Sequence, residues 1–149
     1  MKTATLFTLL TAAATAMAAP AKRQSYTDYI FSDIKATLTS TSGSLAFDLY
    51  DTNYKDNTTY SLSWVRPGEP TTQSYTADGQ YTITFPNNVT SVEQFEFIVD
   101  RDIELMFGHV ILNSEAEDSE WTCGTLDGVA GTQSCHSSAD LSVTPIMTQ

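Results

Sequence analysis

Few side chains in this sequence could act as a nucleophile or a proton carrier, and each class narrows quickly. The two histidines are His109, inside an apolar run, and His136, directly after Cys135. A Ser-His-Asp triad needs one of them beside an activated serine, and no Gly-x-Ser-x-Gly elbow exists to present that serine. His109 sits on a period-two pattern and reads as a packed or edge residue; His136 reads as a loop residue. A zinc site needs three or four ligands at suitable spacing, and cysteines consumed in a disulfide cannot supply two of them. The reading therefore assigns no catalytic residue, no metal ligand and no cofactor.

Carboxylates carry more weight, because a glycoside hydrolase needs only two and this chain has eighteen. Such abundance singles out no pair. Asp100, Asp102 and Glu104 alternate so that all three aim to one side of a strand end, as a hard-cation site would require. Arg101 interrupts them and no Gly-turned calcium loop follows, so they read as a solvated face. Glu115, Glu117, Asp118 and Glu120 read the same way, in an exposed loop over residues 113–121. Tyr26, Tyr29, Tyr50, Tyr54, Tyr60 and Tyr75 could form a stacking surface, but they read more simply as strand residues with a polar tip at the solvent boundary.

The elements that must position these groups are strands. Leu45, Phe47 and Leu49 alternate with polar neighbours, as do Phe95, Phe97 and Val99, and Leu62 with Trp64. Ile83 and Phe85 continue the pattern, Ile34, Ala36 and Leu38 precede it, and Leu141 and Val143 close it. Residues 103–112 read as one strand or two bent at Gly108, and Asp78-Gly79 as a tight hairpin turn. No helical period is convincing. The chain therefore reads as all-β, a single-domain antiparallel barrel or sandwich whose core includes Leu45, Phe47, Leu49, Leu62, Trp64, Ile83, Phe85, Phe95, Phe97, Val99, Leu141 and Val143.

Residues 1–18 have a basic start, an uncharged apolar stretch and an Ala16-Met17-Ala18 cleavage site, the pattern of a secretory signal peptide. Residues 19–23 read as a short pro-segment ending in the dibasic pair Lys22-Arg23, which leaves 24–149 as one β domain. Three of the seven basic residues leave with the leader, so four remain against eighteen acids, a net charge of −14. That sign is wrong for a phosphate-binding surface, which excludes nucleic acid and anionic membrane as expected partners. No later apolar run reaches membrane length. Secretion makes Asn57 (in Asn57-Thr58-Thr59) and Asn88 (in Asn88-Val89-Thr90) glycosylation acceptors, both expected in loops. It also favours a disulfide between Cys123 and Cys135 across a turn-rich link of Gly124, Asp127-Gly128 and Gly131.

The Ile30-Phe31-Ser32-Asp33-Ile34 opening, the Ser44-Leu45-Ala46-Phe47-Asp48-Leu49 strand, the C-terminal cysteine pair and Ala139-Asp140-Leu141-Ser142-Val143 together resemble the Alternaria major allergen family. The resemblance spans about residues 26–147 and implies a secreted fungal β-barrel, often dimeric, with roles as allergen, elicitor or effector and no established catalytic centre. The chain departs from the family pattern in having no cysteine from Tyr60 through Tyr81 and no N-terminal cysteine to link protomers, so any homodimer is non-covalent. The expected function is that of a secreted interaction protein, acting on a host (plant) extracellular protein or small ligand by surface recognition. The alternative is a small acidic secreted enzyme such as a carbohydrate hydrolase.

Overall fold

The computed structural model describes residues 26–66, 73–74, 81–101, 106–125 and 131–147. The leader, Tyr75, the Asp78-Gly79 turn, Asp102 and Glu104 lie outside them. Eleven strands and no helix occur among the described residues: β1 (Tyr29–Leu38), β2 (Ser42–Asp51), β3 (Asp56–Val65), β4 (Gln73–Ser74), β5 (Tyr81–Thr84), β6 (Gln94–Arg101), β7 (Met106–Asn113), β8 (Trp121–Thr125), β9 (Gln133–Ser137), β10 (Leu141–Val143) and β11 (Ile146–Met147). They form two antiparallel sheets. One has the order β3-β2-β1-β9-β8, with β10 paired to β1; the other has the order β11-β7-β6-β5-β4.

Alternation decides which side chains meet between the sheets, because successive residues of a strand point to opposite faces. Phe31 and Phe47 from the first sheet contact Phe97 from the second at ring-centroid distances of 5.9 and 5.1 Å. Tyr29 and Tyr60 both meet Tyr81 edge-on across the same interface. Such pairs add about 0.5–1.5 kcal/mol each beyond the area they bury. Nine of the twelve expected core residues are buried, while Phe85, Leu141 and Val143 are partly buried and packed against the cluster. The all-β reading and its inward faces therefore hold.

Several details differ from the sequence reading, each for a local reason. Strand β1 starts at Tyr29 rather than near Ile34, because its register shifts between Ser32 and Lys35 where Asp33 takes φ 51°. The extra residue is a β-bulge, and it resets the alternation so that Tyr29 and Phe31 share the buried face with Ile34, Ala36 and Leu38. Strand β7 runs through Gly108 in unbroken register with β6. The glycine answers a close approach instead of a bend, since an added Cβ would sit 2.7 Å from the Tyr29 ring. Gly43 meets the same need, with an added Cβ 2.1 Å from Trp64. Tyr29 and Tyr60 are wholly buried, so the expectation of a solvated polar tip fails for both.

Candidate functional site

The disulfide is present. Cys123 and Cys135 stand directly opposite in the β8–β9 ladder, with Cα atoms 4.1 Å apart and the two sulfurs bonded. The pair closes the far edge of the first sheet. Its neighbour Trp121 fastens that edge to the second sheet, with the indole N–H donating to the Val92 carbonyl at 2.8 Å and the ring 6.0 Å from Phe95.

Asn88 lies exposed in the β5–β6 loop, as expected of a glycan acceptor. Asn57 is exposed as well, but it belongs to β3 and pairs with Tyr50, which corrects its placement in a loop. His136 is likewise a strand residue, exposed on β9 opposite Thr122. His109 is exposed on β7 beyond the reach of the two-residue β11, and its Nε2 lies 2.5 Å from the Glu96 carboxylate. The two histidines therefore sit on different sheets, each without a serine within hydrogen-bond distance among the described residues. Among the described residues, no three His, Cys, Asp or Glu side chains are placed to hold a metal ion.

The interior holds one charged cluster that pattern reading missed. Asp51, at the end of β2, is fully buried, and its Oδ2 accepts from Arg101 Nη1 at 2.9 Å and from the Tyr81 hydroxyl at 2.8 Å. Its Oδ1 accepts from the Asn53 backbone N–H and side-chain amide at 2.9 and 3.0 Å. The Arg101 guanidinium also lies over the Tyr54 ring, 3.3 Å from its centroid. Burial, followed by the hydrogen bond and negative charge of Asp51, pushes the Tyr81 phenol well above its ordinary value of 10.0. This cluster joins β2 of one sheet to β5 and β6 of the other and presents no reactive group to solvent. It is a clamp. Next to it, Asn53 accepts from the Thr27 N–H and so holds the segment that leads into β1, and Asp28 accepts from Ser142 and Thr144 at 2.5 and 2.6 Å, contacts that hold its carboxyl below the ordinary 3.8.

The opposite ends of β6 and β7 are open. A cleft of about 470 Å³ lies between the end of β7, the 114–120 loop and the β9–β10 connection. Leu112, Trp121 and Leu141 give it an apolar floor, Ile111 (66% exposed) stands beside it, and the exposed acids Asp118, Glu120 and Asp140 line it. No lysine, arginine or histidine is among its lining residues. Glu120 accepts a hydrogen bond from Ser138, whereas Asp118 and Asp140 engage no partner among the described residues. The two lining hydroxyls are occupied locally: Ser119 Oγ accepts from the Trp121 N–H at 3.1 Å, and Ser137 Oγ donates to the Ala139 carbonyl at 2.5 Å. Apolar walls with unpaired carboxylates above them suit a cationic group carried on an apolar body, which gains both burial and Coulomb attraction. Residues 115–118 and Glu120 are exposed as expected of a loop, but the loop is shorter than 113–121: Asn113 ends β7, and Trp121 begins β8 with its side chain buried. Nothing in the sequence pattern announced the cleft, because the lining comes from two segments, 111–121 and 137–141, that only the folding of β8 and β9 brings together.

A scan against protein-family models found no match, and a search of curated proteins found none either. Among solved structures, this chain is similar in fold to the crystal structure of Alternaria alternata allergen Alt a 1, with a TM-score of 0.54, 12% identity, and coverage of 87% of this chain and 95% of that one. A second crystal structure of the Alternaria alternata major allergen Alt a 1 matches with a TM-score of 0.51, 12% identity, and coverage of 81% and 94%.

Proposed function

We propose that this chain, allergen-like in fold, is a secreted fungal interaction protein that acts outside the cell by recognising a host (plant) extracellular protein or small ligand through the acidic cleft. The leader-like N-terminus and the Cys123–Cys135 bond support an oxidising, extracellular setting. The observation that carries the reading is the cleft's composition: an apolar floor beneath two carboxylates that engage no partner among the described residues. Catalysis has less support, since the cleft's hydroxyls are tied to backbone and neither histidine lines it.

Infiltration of the mature protein into leaves tests the non-catalytic part. A variant with His109→Gln, His136→Gln and Asp100→Asn should elicit the same response as the parent while it keeps its fold. Turnover of a polysaccharide or ester that disappears in that folded variant would move the protein to the enzyme class.

A further inference from the structure

The Asn88 sequon stands on the edge of a second cavity. Val89 is buried while Asn88 and Thr90 on either side of it are exposed, so the apolar residue anchors the loop and both sequon side chains face outward. The Thr90 N–H donates to the Asn88 carbonyl at 3.0 Å, which turns the chain at the acceptor. Asn88 itself lines a cavity of about 260 Å³ next to Asn87, Gln94, Glu96, Ile111 and Asn113. That volume falls below the roughly 300–1,000 Å³ of pockets for drug-sized ligands and is of the order of a single ring.

The lining has the chemistry a sugar needs, with hydroxyl partners beside apolar surface. Asn87 donates its amide N–H to Glu96, and Gln94 donates to Glu115 at 2.7 Å. Asn113 Oδ1 accepts from the Glu115 backbone N–H at 3.0 Å. These contacts orient the three amides and leave the Asn87 and Gln94 oxygens and the Asn113 NH₂ without partners among the described residues. Donors and acceptors are thus both presented to the cavity, with Ile111, 66% exposed, as an apolar wall.

We infer that this cavity is an intramolecular subsite for the first N-acetylhexosamine of the protein's own glycan on Asn88. The inference rests on the secreted reading, since the glycan is added only in that pathway. A ring attached at Asn88 needs little intrinsic affinity: a short tether gives an effective concentration in the millimolar range, which fills even a weak site. Asn57 is the internal control. It is exposed on β3 and lines neither of the two cavities described.

The test is site-resolved deglycosylation of the folded, secreted protein by an endoglycosidase, followed by peptide mass spectrometry. Release from Asn88 should be about fivefold slower than from Asn57, the protection expected of a subsite occupied about four-fifths of the time. After reduction and unfolding the two rates should converge. Gln94→Trp, at an exposed strand end, should fill the cavity and bring the Asn88 rate up to that of Asn57; Ile111→Trp provides the same block from the other wall. Secreted protein with no glycan on Asn88, or equal rates at the two sites in the folded parent, overturns the inference and leaves the cleft reading untouched. Retention of the chain inside the cell would instead overturn the secreted reading.

Discussion

Strands β6 and β7 connect two acidic regions that use carboxylates in opposite ways. At the Arg101 end, Asp51 is completely buried and accepts four hydrogen bonds, from Arg101, Tyr81 and both nitrogens of Asn53. At the Asn113 end, Asp118 and Asp140 are exposed, take no partner among the described residues and face an apolar floor. A carboxylate in a low-dielectric interior is tolerated only when its lone pairs are satisfied, so the first arrangement is committed to structure. The second is left free to attract a partner. Under the proposed function, the contrast separates residues that hold the fold from residues that would engage a partner.

The largest expected effect comes from breaking the clamp on one side. Arg101→Met leaves Asp51 buried without its cation and should lower unfolding free energy by about 3–5 kcal/mol, measured by denaturant titration. Replacing both partners, as in Asp51→Leu with Arg101→Met, should recover most of that loss. Removing the disulfide with Cys135→Ser should cost about 3 kcal/mol for a closed loop of this length, read in the same assay under non-reducing conditions.

Tyr81→Phe is a smaller lesion, removing one donor to Asp51, and should cost about 1–3 kcal/mol. It also has a pH signature. The Tyr81 phenol titrates higher in the folded state than its ordinary 10.0, so its contribution is fully present below pH 10 and is lost as pH rises toward the folded value. The parent should therefore lose stability above pH 10 more steeply than Tyr81→Phe. On the acid side Asp28 acts in the reverse sense: its lowered pKa contributes stability above pH 3.8 that disappears as pH falls through the folded value. Asp28→Asn should flatten the stability profile below pH 4. The smallest stability effect belongs to the cleft, where Asp118→Asn with Asp140→Asn should stay within about 0.5 kcal/mol of the parent.

The alternating strands were legible because each keeps one face inward, and Phe47, Phe97 and Ile83 needed no other signal. The pattern failed where one residue altered its phase. Asp33 at the β1 bulge hid Tyr29 and Phe31 from an alternation that began at Ile34. Gly108 looked like a breaker because its partner, the Tyr29 ring, comes from a strand far away in sequence. Strands β8 and β9 were not drawn, since their Thr, Gly, Ser and Gln residues carry little hydrophobic contrast and the disulfide does part of the pairing. The clamp escaped for a different reason: Asp51 and Arg101 are fifty positions apart, and an isolated charge at a strand end looks like a solvated one. Even so, the cysteine pairing was legible, because only two cysteines exist.

Under the proposed function, recognition passes through the acidic cleft while the clamp only holds the fold. The most direct test is leaf infiltration with the Asp118→Asn, Asp140→Asn protein at matched dose, after circular dichroism and thermal unfolding have shown it to be folded like the parent. The response to this variant should be lost. A full response at the same dose from the folded variant would contradict that reading and remove the cleft from the function.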